Sequence, residues 1–488
     1  MNPDYAGLFR ALRPEASLLV GAFVMLSLDL SVFRSRSIGE RFRLATLIGG
    51  MAVVAAMSHV WSFGAAGGVF GQVLMFDHLA VAVRFGVLAL LLLTLGILPG
   101  ARRPRHGVEY VALLLFATTG FLLMAATQQL LLAFLALELA SLSLYVLAGF
   151  DKSRPESAEA ALKYFLFGGM AAAFLLFGFS LIYGIAGSIE LPRIAARLLV
   201  QSQTPLLSVA LVMVLVAFGF KAAAAPFHLW APDVYEGAPT PTAALIASAS
   251  KLAGFALFYR LLWPGLSTIA VRLAGMPMAP AWAPAVAVIA GASLLIGNFA
   301  ALAQSNVRRL LAYSAIAHAG TMLLGVLSGG QSGPAPLFYY AATYGLATLG
   351  AFGVLAVIET NERCQTISDL AGLHQRSPFL AGCLAIFILS LAGIPPLAGF
   401  FGKFIVFAAA LQMGGLGSPA GWLTMLAIAF SAVALYYYLI VLKQALVAPP
   451  KPAASRLSVP PITGITLTLT ATLIVVLGVL PSLLLDLL

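Results

Sequence analysis

Residues Gly219 to Pro241 read Gly-Phe-Lys-Ala-Ala-Ala-Ala-Pro-Phe-His-Leu-Trp-Ala-Pro-Asp-Val-Tyr-Glu-Gly-Ala-Pro-Thr-Pro, and a further apolar run carries Ala249-Ser250-Lys251. An apolar segment that begins at Pro205 thus contains Lys221 and is interrupted at Pro226. A second contains Lys251 near its middle. Each charge placed in hydrocarbon costs roughly 2.5–3.5 kcal/mol on insertion scales, so both lysines call for a function.

The rest of the chain makes hydrocarbon the relevant solvent. Of 488 residues, 61% are hydrophobic and only 9% charged, against about 25% charged in soluble domains. Apolar runs of membrane-spanning length recur from end to end, which predicts an all-α, polytopic membrane protein. A transmembrane β-barrel would instead show short alternating segments. Fourteen segments are predicted near 15–32, 42–61, 79–98, 108–127, 129–150, 157–185, 205–230, 240–262, 283–303, 310–328, 336–358, 378–413, 421–445 and 461–487. No long polar stretch is left to fold as a separate soluble domain, and the first apolar run reads as a retained helix.

Basic residues set the expected orientation. One side of the membrane collects Arg34, Arg36, Arg41, Arg43, Arg102, Arg103, Arg105, Lys152, Arg154, Arg308, Arg309, Arg363, Arg376, Lys451 and Arg456. The other holds Arg10, Arg13, Arg193, Arg197 and Arg272. The positive-inside rule places both termini outside, although Arg10 and Arg13 alone would argue the reverse. The net charge of +10 then reports loop orientation, not nucleic-acid binding. Glu190 to Gln203 reads as a short interfacial amphipathic helix.

The seventh and twelfth segments are irregular. The twelfth carries Gly393-Ile-Pro395-Pro396, then Gly399, Gly402 and Lys403. Prolines free helix carbonyls, which are tolerated at membrane depth only inside protein or along a wet cavity. Broken helices in two halves of one chain point to transporter-like repeats. Segments four to eight and nine to thirteen are each five helices, and an odd number inverts the second unit. The expected organisation is residues 1–107 as an N-terminal three-helix segment, 108–262 and 283–445 as the two units, and 461–488 as a last helix.

Lys163, Lys221, Lys251 and Lys403 fall inside apolar segments, as do Glu138 and His318. Buried lysine, glutamate and histidine change protonation in response to a neighbour's charge, so these six suit a proton relay. A sodium site fits less well, because hard cations want several oxygen ligands. Lys163 sits near a segment end, where it can also snorkel, and Glu138 can also be a structural ion-pair partner. His228, beside the seventh-segment break with Trp230, Asp233, Tyr235 and Glu236, is a candidate for proton uptake or an interfacial anchor. The two cysteines, Cys364 and Cys383, form no C-x-x-C pattern, and no phosphate-binding glycine motif appears.

Three runs resemble a known family: Lys221 to Pro241 with Ser250-Lys251, Arg308-Arg-Leu-Leu-Ala-Tyr-Ser-Ala-Ile-Ala-His318-Ala-Gly, and Ser390-Leu-Ala-Gly-Ile-Pro-Pro-Leu-Ala-Gly-Phe-Phe-Gly-Lys403-Phe. They are similar to the antiporter-like subunit N of NADH:quinone oxidoreductase, respiratory complex I. The first run is the most specific; the others are shared with sister subunits and cation/proton antiporters. The resemblance implies a proton-translocating subunit of a bacterial inner-membrane complex with two inverted five-helix units. Lys221 would carry the proton, paired with Glu138 and modulated by Lys163. Lys251 and His318 would bridge the halves, Lys403 would serve the outer half, and a cytoplasmic half-channel would feed the first unit. It implies no cofactor in this chain, with flavin, iron–sulfur clusters and quinone in partner subunits. The implied partners are sister membrane subunits, including other antiporter-like ones, together with lipid and protons. An Mrp-type sodium/proton antiporter subunit is the alternative, and a non-transporting scaffold is another.

Overall fold

The computed structural model describes the chain except residues 1–4, 200–203, 269, 272–278, 363, 414 and 452–454; at 270 and 271 it describes the backbone alone. Arg272, Arg363 and Gln203 therefore lie outside the described residues. Thirteen helices are long and apolar enough to cross a membrane. They take up the predicted segments in order, apart from the twelfth, which forms two shorter helices, Pro378–Ala392 and Ala398–Gln412. The last helix ends at Val479, short of the expected 487, because Pro481 cannot extend it. Two small antiparallel hairpins, Gly67–Val69 with Leu74–Phe76 and Ala270–Val271 with Ala279–Pro280, complete the described regular structure.

Helix starts follow local chemistry. Ser37 and Glu40 form a capping box on Ile38–Phe63. Asp77 accepts from the Ala80 amide ahead of His78–Ile97, and Asn306 from the Arg308 and Arg309 amides ahead of Val307–Ser332. Each side chain satisfies an amide that hydrocarbon would leave bare. The amphipathic helix Leu191–Leu198 forms as expected, with Leu191, Ile194 and Leu198 buried and Arg193 exposed.

The two broken helices share one local design. Pro205–Ala222 ends where Ala223 turns left-handed, at φ 55°; Pro378–Ala392 ends at Gly393, φ 89°. The following amide then reaches back to close the end: Ala224 to the Gly219 carbonyl at 2.8 Å, Ile394 to that of Leu389 at 3.1 Å. This is the Schellman closure. In both, a cis X-Pro bond follows, Ala225-Pro226 and Pro395-Pro396. The seventh helix thus stops earlier than its proline suggests, because the left-handed residue comes first.

A second matched device ties helix starts to later loops. The Leu130 amide bonds the Ile189 carbonyl at 2.8 Å and the Leu191 amide bonds Gln128 at 2.9 Å. In the other half, Val307 bonds Gln365 at 3.1 Å and Ile367 bonds Ser305 at 2.8 Å. The same reciprocal pair therefore closes both halves.

The most enclosed spans are Thr240–Gly265, Val307–Ser332 and Ala335–Asn361, at 100%, 94% and 94% buried. Charges on these three are consequently shielded from lipid. The first of them holds a break that no proline or glycine announces: Ser248, at φ −112° and ψ −86°, separates Thr240–Ala247 from Ala249–Arg260.

Close helix approach relies on missing side chains. A Cβ at Gly297 would lie 2.5 Å from the Ala317 amide nitrogen, which belongs to a rigid neighbouring helix, whereas one at Gly50 would meet nothing within 4 Å. Gly297→Ala is expected to destabilise the fold by about 1–3 kcal/mol, and Gly50→Ala to be neutral or mildly stabilising. Thermal midpoints in detergent check both; equal midpoints would mean that the two helices can part at no cost.

Candidate functional site

The buried ionisable groups fall into a central line and a cluster at one end of the bundle. Lys221 ends the first half of the broken seventh helix and is 4% exposed. Its Nζ donates to Ser141 Oγ at 3.5 Å and lies 5.7 Å from the Phe121 ring centroid. Its stem packs against Gly254, where a side chain would crowd it at 3.2 Å. Gly254 is one turn beyond Lys251 on the same helix, so Lys221 and Lys251 are neighbours across that contact.

Lys251 Nζ donates to the Ala315 carbonyl at 2.6 Å, crossing into the second half, and lies 5.4 Å from the Tyr344 ring centroid. Ala315 is one turn before His318. His318 is held by two phenols: Nδ1 is 2.5 Å from the Tyr340 hydroxyl and Nε2 is 3.1 Å from that of Tyr438. Tyr438 also bonds Ser314. A cavity of about 20 Å³ is lined by His318, Lys403, Thr321, Asn298, Ser431 and Tyr437. It has polar walls and room for about one water. Lys403 Nζ donates to the Ala392 carbonyl at 2.9 Å, so its ammonium caps the end of the broken twelfth helix. On the seventh helix Trp230 Nε1 does the corresponding work for the Phe220 carbonyl at 3.0 Å.

Not every expected contact forms. Glu138 and Lys221 make no direct salt bridge among the described residues, but each feels the other's charge. Glu138 is half-buried, and its Oε1 is enclosed without a protein hydrogen-bond partner. It lies at the edge of the bundle, on a stripe of Leu130–Ala148 with Leu131, Leu135, Leu142 and Val146, each more than half exposed. His228 is buried at the break, and its Nδ1 also lacks a protein partner. No described hydrogen bond connects it to Lys221.

Lys163 belongs to the second group. Its Nζ is 2.6 Å from both Glu159 and Asp233. Arg309 reaches the same Asp233 at 2.6 Å and Glu236 at 2.9 Å, and Asn306 donates to Glu236 at 2.8 Å. Beside them, buried Arg308 lies 3.5 Å from Glu359 and donates to the Ala238 carbonyl, while Glu359 accepts from Thr240. This ionic knot joins the first half (Lys163, Asp233, Glu236) to the second (Arg309, Arg308, Glu359). It borders a cavity of about 280 Å³ lined by Glu236, Asn306, Arg308 and Glu359, with Arg102 and Arg154.

Two arginines are buried as deeply as the lysines. Arg84, 1% exposed, donates to Glu15 at 2.6 Å, and Arg260 bonds Asp77 at 2.5 Å and the Ala125 carbonyl at 2.7 Å. Both arginines stand inside apolar runs, so the signal was present. Among the described residues no group of three or more His, Cys, Asp or Glu could hold a metal ion.

Asp233 sits between spans, and its carboxyl is pulled both ways. Burial pushes it up, but the Lys163 and Arg309 hydrogen bonds outweigh that and hold it below its ordinary value. A depressed carboxylate stabilises the fold fully above the unfolded value, near pH 4, and the gain disappears as pH falls through the lower folded value. Asp233→Asn is expected to cost about 1–3 kcal/mol at pH 7, with the gap to the native chain closing in acid. Thermal midpoints from pH 7 to 3 check this; a gap independent of pH would remove the Asp233 charge from the account.

The family model described as NADH:quinone oxidoreductase/Mrp antiporter, TM, matches residues 127–433. NADH-quinone oxidoreductase subunit N 2 of Acidobacterium capsulatum is 48% identical, with 99% of each chain covered. A chain of respiratory complex I from Thermus thermophilus superposes with a TM-score of 0.80 at 34% identity, covering 97% of this chain and 98% of that one. A chain of the Mrp complex from Dietzia has a TM-score of 0.79 at 22% identity, covering 98% and 96%, a likeness of fold alone. With near-complete coverage by a relative at that identity, and with the broken helices and buried lysines in place, the chain belongs to the subunit N family of NADH-quinone oxidoreductases.

Proposed function

We propose that this chain moves protons across a bacterial inner membrane, with both termini on the outer side, as one antiporter-like subunit of an assembled NADH:quinone oxidoreductase. The carrying observation is the unbroken succession of buried groups: Lys221 beside Lys251, Lys251 bonded to Ala315 one turn from His318, and His318 sharing a water-sized cavity with Lys403. Charges on Lys251 and Lys403 both oppose a charge on His318, as like charges do in a medium of low dielectric. Loading one site therefore pushes the proton on the next toward release. Quinone reduction, flavin and iron–sulfur chemistry belong to partner subunits in this reading.

The matched Schellman ends and the matched reciprocal bonds support two five-helix units at 108–262 and 283–445, inverted by their odd helix number. Glu138 lies at the edge of the bundle, coupled to Lys221 and with an unpartnered Oε1, so a neighbouring membrane subunit that presents a polar group would complete it. Lys163 acts through Asp233 rather than directly on Lys221, and His228 remains a candidate at the inner end of the break.

Lys221→Met, in the assembled complex reconstituted in vesicles, is expected to lower NADH-driven proton pumping and coupled quinone reduction by roughly tenfold or more. Normal coupled pumping would take Lys221 out of the relay. Proton flux that depends on sodium would favour the Mrp-type reading.

A further inference from the structure

Helix Ala335–Asn361 carries Tyr340, Tyr344, Thr348 and Phe352 at successive turns, a single face within the most enclosed part of the bundle. Tyr340 is bonded to His318. Tyr344 has its ring 4.9 Å from that of His318 and 5.4 Å from Lys251 Nζ. Phe352 packs edge-on against Tyr235 at 5.8 Å. The hydroxyls of Tyr344, Thr348 and Tyr235 are each buried, at 3%, 1% and 0% exposure; those of Tyr344 and Thr348 face each other, and that of Tyr235 has no protein hydrogen-bond partner. A buried hydroxyl left short of partners costs about 1–3 kcal/mol. Such groups along one seam are difficult to explain by packing, since phenylalanine and valine would fill the same space without that cost.

The seam has distinct ends. Tyr235 sits on the short helix Trp230–Gly237 next to Glu236, which lines the inner ionic cavity of about 280 Å³. From Phe352 up to Tyr344 is two helical turns, about 11 Å, and Tyr344 touches the Lys251–His318 junction. Lys221 is not on this path.

We propose that Tyr235, Thr348 and Tyr344 form a second proton inlet, lined by hydroxyls and bridged by water, which loads Lys251 and His318 directly from the inner cavity without passing through Lys221. The inlet rests on the relay reading above. Each hydroxyl hands its proton to the water ahead as it takes one from the water behind, so no tyrosine or threonine is left charged. Polar sites with several partners hold such bridging waters.

The test uses the assembled complex in vesicles, with Tyr235→Phe, Thr348→Val and Thr348→Ser. NADH oxidation with an artificial electron acceptor confirms that each complex is assembled. Tyr235→Phe and Thr348→Val are expected to slow coupled pumping roughly tenfold and to alter its solvent deuterium isotope effect, while Thr348→Ser, which keeps the hydroxyl, restores the native rate. If Tyr235→Phe does not assemble, the valine and serine pair at 348 decides alone. Lys251→Met separates the two claims. Should it abolish pumping while the hydroxyl variants pump at the native rate with an unchanged isotope effect, the inlet is overturned and the relay stands. Should Lys251→Met pump normally, relay and inlet fall together. Equal slowing by Thr348→Val and Thr348→Ser also overturns the inlet, because only packing would then be at stake.

Discussion

Within a bilayer no water is present to satisfy a freed carbonyl or an isolated charge, so every such group has to find its partner inside the chain. The two helix breaks create the need, and the site is assembled from what answers it. At the seventh helix, Trp230 caps Phe220 and Ser293 receives the Ala225 amide at 2.9 Å. At the twelfth, Ser390 receives the Gly399 amide at 3.2 Å and Lys403 caps Ala392. A lysine that serves as a cap and also opens onto a polar cavity is held in place without being neutralised by a carboxylate. That combination leaves its proton available.

Across the middle, the direct hydrogen-bond and ring partners are uncharged. Lys221 meets a serine and a phenylalanine, Lys251 a carbonyl and a tyrosine, and His318 two phenols. Carboxylates gather instead at one edge of the bundle, where Asp233, Glu236 and Glu359 hold arginines and Lys163. Tight pairs there fix geometry. Arg309 and Lys163 share one Asp233, each on its own carboxylate oxygen, so a shift in either half is felt by the other.

Much of this was legible in the residues. Fourteen apolar runs and two proline-bearing breaks follow from spacing and composition and appear in the structure; of the four lysines, Lys221, Lys251 and Lys403 are buried, while Lys163 joins the partly exposed ionic knot. The place of Glu138 at the bundle edge, short of a direct salt bridge with Lys221, did not follow, because an apolar helix with little amphipathic contrast gives no sign of which face is enclosed. The Ser248 break was hidden for a related reason: it has no proline or glycine and depends on tertiary packing. Arg84 and Arg260 were readable as charges in apolar runs, but their partners Glu15 and Asp77 lie far away in sequence. The ionic knot likewise depends on distant segments, which bring Lys163, Asp233 and Arg309 together.

The unpartnered oxygen of Glu138 also bears on how the chain holds its charge. Oε1 is enclosed without a hydrogen-bond donor, and Lys221 balances the carboxylate without touching it. Burial opposes the charged form while the distant ammonium favours it. Small displacements of the helix that carries Lys221 therefore weigh on this acid more than they would on one clamped in a tight salt bridge.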